Sequence, residues 1–126
     1  MANMTVNQII TSVDLKEPNN YTAAEKIHWL SNLDGKIFEE VIKTHEGYDP
    51  DTDAFTPYFD GTEELLIQVP YGEDLYIHYL IAMIAQGNGE ITRYNQQIAL
   101  YNACYSQWWN RFNATHLPFC GTRFRF

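Results

Sequence analysis

The stretch ITRYNQQIALYNACYSQWWNRF, residues 91–112, decides the fold. Ile91, Tyr94, Ile98, Tyr101, Tyr105, Trp108 and Phe112 recur at alternating steps of three and four. Side chains spaced this way share one face of an α-helix, so the stretch predicts a helix with an apolar seam about 33 Å long. Pro118 blocks its continuation, and FCGTRFRF, residues 119–126, trails as a short tail.

Working outward, Pro70 and Gly72 precede another helix, with Glu73 and Asp74 in its first turn, where acids suit the dipole. It is expected to bury Leu75, Tyr79, Leu80, Met83 and Ile84 and to end at Gly87-Asn88-Gly89. Further upstream, Thr22-Ala23-Ala24-Glu25 matches a capping box, in which threonine and glutamate satisfy free amides at a helix start. The helix it opens carries Ile27, Leu30, Leu33 or Asp34, Ile37, Val41 and Ile42 at helical spacing. It is expected to run to about His45 and stop near Gly47, weakened by Gly35 inside it. Thr5–Asp14 reads as a short helix with Val6, Ile9, Ile10 and Val13 on one face. Leu65–Val69 is a short apolar run, strand or extended segment. The expected fold is all-α: a bundle of about four helices with a long acidic loop and an extended C-terminal tail. Residues 1–118 form one domain in this reading, and 119–126 the tail.

The chain has 126 residues, 45% apolar and 15% aromatic, which suits a single domain with a real core and argues against disorder. No run of about 18 apolar residues is present, so no membrane span is expected. The first residues, MANMTVNQII, lack a basic region followed by an apolar core, so no signal peptide is expected. Cys104 and Cys120 are accordingly expected to stay reduced. The net charge of −8 is unevenly spread. Residues 1–90 hold all 16 acids and four lysines, a net −12, whereas residues 91–126 hold four arginines and no acid, a net +4. An acidic body disfavours binding to DNA phosphates. An acidic body with a basic end suits pairing between copies in an assembly.

Chemical motifs are few. DPDTDAFTPYFDGTEE, residues 49–64, places Asp49, Asp51 and Asp53 at the first ligand positions of a calcium loop. Ala54 then stands where the sharp turn wants glycine, and Asp60 where the template has a bidentate glutamate. Asp49, Asp51, Asp53 and Asp60 are thus a candidate for weak calcium binding at most, and a solvated acidic loop is the favoured reading. His45-Glu46 opens like a zinc-protease motif but lacks its second histidine, Asp49 standing there. Glu39-Glu40 and Glu63-Glu64 read as solvated pairs. With no catalytic constellation and no cofactor motif, no enzyme and no cofactor are expected.

Two aromatic features point to contacts instead. Trp108 and Trp109 lie about 100° apart on one helix. Trp108 fits the seam, and Trp109 is either the seam's edge or a contact residue, tryptophan being enriched at interfaces. The tail Arg123-Phe124-Arg125-Phe126 alternates cation and aromatic, a form suited to adding onto a partner's edge as a strand.

The stretches KIHWLSNLDGKIFEEVIKTHEG (26–47) and DLYIHYLIAMIAQGNGEITRYNQQIALYNACYSQW (74–108), with Thr115-His116-Leu117-Pro118, resemble small prophage-encoded structural proteins of Gram-positive bacteria. These are the head-tail connector or adaptor-like proteins of tailed phages. The resemblance covers most of the chain, and is weakest at the acidic loop and the tail. It implies a subunit made in the host cytoplasm that ends in the virion neck. There it would dock on the portal, meet tail-side neck proteins and form a ring of copies through which DNA passes without specific binding. It carries no catalytic residues to transfer. The alternative is an intracellular helical protein-interaction module encoded by a prophage.

Overall fold

A computed structural model describes residues 4–45, 54–68 and 70–115. Its four α-helices are α1 (Val6–Lys16), α2 (Ala23–Glu40), α3 (Gly72–Gly87) and α4 (Ile91–Thr115). The chain is all-α and bundle-like, and no strand occurs among the described residues. No helix among them is long and apolar enough to cross a membrane.

Helix α1 begins one residue inside a reciprocal cap. Thr5 Oγ1 accepts from Gln8 N–H, and the Gln8 side chain accepts from Thr5 N–H. Thr5-x-x-Gln8 is therefore a capping box that the expected helix starts did not include. The helix ends at Glu17, because the residue before a proline is pushed out of helical geometry. Its Val6, Ile9, Ile10 and Val13 are buried as expected. Helix α2 carries the threonine half of its expected box: Thr22 Oγ1 accepts from Glu25 N–H at 3.2 Å, while the Glu25 carboxylate accepts from the Thr22 hydroxyl at 3.3 Å instead of from its amide.

The expected continuation of α2 to about His45 is not observed. The helix stops at Glu40, and Ile42–Thr44 form a 3₁₀ turn. Side chains take the carbonyls that further turns would have used: Thr44 Oγ1 lies 3.1 Å from the Glu40 oxygen and 2.9 Å from that of Val41. His45 Nδ1 donates to the Val41 oxygen at 2.7 Å. Such local side-chain bonds compete with helix, and Val41, Ile42 and Thr44 are β-branched.

Helix α3 is the centre of the bundle, in contact with α1, α2 and α4. Leu75, Tyr76, Ile77, Leu80, Ile81, Ala82, Ile84 and Ala85 are all buried, so it is apolar on nearly every side. Two expected core residues, Tyr79 and Met83, are only half-buried and face a groove beside α2. A single-face pattern was the wrong template for a helix with neighbours all round.

Helix α4 packs on α3 alone among the helices. Of its seven seam residues only Trp108 is buried; Tyr94, Ile98, Tyr101, Tyr105 and Phe112 are half-buried, and Ile91 is 71% exposed. The periodicity correctly marked the face turned toward α3. One neighbour cannot cover a seam of that width.

The expected strand or extended run is not observed at 65–68: the chain there is irregular, with bends at Leu66 and Ile67, where it turns toward α3. Leu65 N–H donates to the Met4 oxygen at 3.1 Å, Val6 N–H to Glu63 at 3.0 Å, and Thr5 and Glu64 form an isolated antiparallel bridge. Leu65 and Ile67 point into the core, and Leu66 between them is half-buried.

Candidate functional site

Asp34 stands at a core position of α2 and is wholly buried. Such a carboxylate needs partners on both oxygens, and three donors supply them. Tyr76 Oη donates to Oδ1 at 2.7 Å; Tyr58 Oη and Leu66 N–H donate to Oδ2 at 2.5 and 3.2 Å. Tyr76 Oη in turn accepts from Ile67 N–H at 3.0 Å, and Ser31 Oγ accepts from Tyr58 N–H at 3.1 Å. The network clamps the 58–67 segment onto α2 and α3. Each carboxylate oxygen is bonded, so its role is to hold a loop.

Burial pushes the Asp34 carboxyl up to about 6, against the lowering effect of its hydrogen bonds from Tyr58, Tyr76 and the Leu66 amide. Burial also raises both tyrosine hydroxyls, and the Asp34 charge adds to it. Between pH ~4 and about 6 the native chain keeps a proton that the unfolded chain has released. Asp34's contribution to stability is therefore complete below its ordinary value of 3.8 and is lost as pH rises through about 6. The gap corresponds to roughly 3 kcal/mol. Asp14 has the opposite sign: hydrogen bonds from Lys26 and Asn19 outweigh the burial that would raise it. Urea melts across pH 4–7 of the parent and of Asp34→Asn are expected to differ in slope, only the parent losing this contribution. Parallel profiles would show that Asp34 titrates normally.

The clamp builds one wall of a cleft of about 860 Å³ along α2. Trp29, Phe55, Tyr58 and Tyr79 form its aromatic sides, and Glu39 and Glu40 lie at its α2 C-terminal end. At that same end a tether fixes α4. His45, 2% exposed, meets the Asn113 side-chain amide through Nε2 at 2.6 Å, and its ring packs edge-on against Trp109 and Phe112.

The outer face of α4 is almost free of charge. Its exposed residues are mainly Asn, Gln, Ala, Ser and Thr, with Leu100 at 46% exposure and Arg111 the one charged member. Arg93, half-buried, pairs instead with Glu17 beyond α1.

The residues singled out in the sequence fall as follows. Trp109 is half-buried against His45 and stacks near Tyr105 at 6.4 Å, so part of its surface serves the fold. Asp49, Asp51, Asp53, Arg123, Phe124, Arg125 and Phe126 lie outside the described residues. Asp60 is exposed, and its Oδ1 accepts from Thr62 N–H and Oγ1 at 3.0 and 2.6 Å. Among the described residues no three His, Cys, Asp or Glu side chains come together as a metal site. Cys104 is a free, half-buried thiol that burial pushes up, with Asp74 adding to it. Glu63, read as solvated, instead caps the turn at 59–61, accepting from Phe59 and Gly61 N–H at 2.6 and 2.9 Å. The Asp34 clamp and the His45 tether were missed. The available signal was an aspartate at a position the helical seam reserves for the core. The chain matches no known family model, curated protein or solved structure.

Proposed function

We propose that the protein is a non-enzymatic structural subunit of the neck of a tailed phage. As a head-tail connector it docks on the portal and joins copies of itself in a ring for DNA passage. The observation that carries this reading is the outer face of α4: a 25-residue helix, supported from one side, whose exposed surface holds a single charge. A solvated helix face of that length ordinarily carries several charges, whereas the centres of protein interfaces are depleted of them. The resemblance over residues 26–47 and 74–108 supports the particular setting. The net −12 of residues 1–90 suits a ring whose lumen repels DNA and lets it slide.

Immunogold labelling of phage particles induced from a strain carrying the gene tests this directly. Gold at the head-tail junction is the expected result. Bare particles, intact and partly disrupted, with the chain left in the lysate supernatant, would exclude a neck subunit and leave an interaction module.

A further inference from the structure

We infer that the cleft along α2 is the seat of the chain's own C-terminal segment, residues 118–126, folded back in cis. The His45–Asn113 contact pins the end of α4 beside the end of α2, which is the acidic mouth of the cleft. Eleven residues follow Thr115, and Pro118 among them bars further helix. The seven residues 116–122 span up to about 24 Å when extended. From His45 back to Lys36, midway along the cleft, α2 and its last turn rise only about 14 Å. The linker is therefore long enough to bring Arg123 to the middle of the cleft, from which Phe124–Phe126 can reach its aromatic sides.

The chemistry of the two parts is complementary. Phe124 and Phe126 are large apolar groups, and Trp29, Phe55, Tyr58 and Tyr79 offer them an aromatic trough. Arg123 and Arg125 have no acid within their own third of the chain, since none occurs after Glu90. Glu39 and Glu40 stand at the mouth, together with the negative end of the α2 dipole. Lys36, also exposed, lines the cleft one turn before the glutamates on α2, which favours a segment placed with its arginines toward Glu39 and Glu40. Glu39 already pairs with Lys43 at 3.1 Å, an exposed contact that an arginine can replace at little cost. A short tether holds the segment at an effective concentration in the millimolar range, so at micromolar protein the same chain outcompetes a neighbour's tail.

The test uses a fluorescent peptide of residues 119–126 with Cys120→Ser. One acceptor is the full chain; the other is the full chain carrying Arg123→Ala, Phe124→Ala, Arg125→Ala and Phe126→Ala. The peptide is expected to bind the tail-substituted chain, and to bind the unmodified chain roughly tenfold or more weakly because its seat is filled. Adding Glu39→Lys and Glu40→Lys, both at exposed positions, to the tail-substituted chain is expected to weaken binding about tenfold. Equal binding by both chains, or no binding to the tail-substituted one, would overturn the proposal. So would indifference to the glutamate substitutions. A block that appears only as chain concentration is raised would assign the seat to a neighbour's tail and equally overturn it. None of these outcomes depends on whether the chain is found in phage particles.

Discussion

Replacing Asp34 by alanine is expected to lower stability by about 3–5 kcal/mol at pH 5 and to release the 58–67 segment. Three donors lose their acceptor at once: the hydroxyls of Tyr58 and Tyr76 and the amide of Leu66. Tyr58 is half-buried and can turn toward water, but Tyr76 is fully buried and has no such escape. The pH matters to the size of the effect. At pH 5 the native carboxyl holds its proton, so the substitution removes no buried charge. At pH 7 the desolvation cost of the carboxylate vanishes with the side chain, and the measured loss should be smaller. Urea unfolding reports the free energy. Native-state hydrogen exchange at Leu66 and Ile67 reports the segment, whose protection should fall further than that of α3. A loss below ~1 kcal/mol would mean that burial of Leu65 and Ile67 holds this segment without the clamp.

Gly72→Ala is the second large effect, about 3 kcal/mol of destabilisation. A β-carbon at Gly72 would lie 2.0 Å from the Ile67 carbonyl oxygen and 2.8 Å from its carbon, both backbone atoms. The Ile67 peptide is held through its own N–H by Tyr76, and Gly72 N–H donates to the Gln68 oxygen at 3.1 Å. Little slack is left between these backbone atoms, and either α3 or the 65–68 segment must move. Gly87, at the other end of α3, supplies the control. There a β-carbon would also meet an oxygen at 2.0 Å, but it is the hydroxyl of Tyr21, the far end of a flexible side chain. Gly87→Ala is expected to cost under about 1 kcal/mol. Thermal melts of the two variants side by side settle the comparison. Equal losses would show that the 67–72 turn yields as readily as a tyrosine ring.

Local chemistry made much of the fold legible. The starts of α1 and α2 and the end of α3 follow from Thr5, Thr22 and the Gly87-Asn88-Gly89 run, because caps and glycines act within a few residues of themselves. The end of α2 was misjudged, because Thr44 and His45 redirect its last carbonyls. Periodicity found the face of α4 that meets α3, yet how deeply that face is buried depends on how many neighbours arrive. Likewise the core faces of α3 could not be chosen from a run that is apolar on every side.

The site was less legible still. Asp34 in the sequence is a polar residue at an apolar position, beside Leu33, and both are buried. Its three partners come from residues 24 to 42 positions away. What the sequence by itself determined is the helical class, the helix starts and the concentration of every acid before residue 91, all local or summed properties. Only the tertiary structure decided that α3 is central, that α4 presents a nearly uncharged face, and that a buried carboxylate ties loop to bundle. Those follow from long-range packing, in which each surface is covered or left bare by elements distant in the chain.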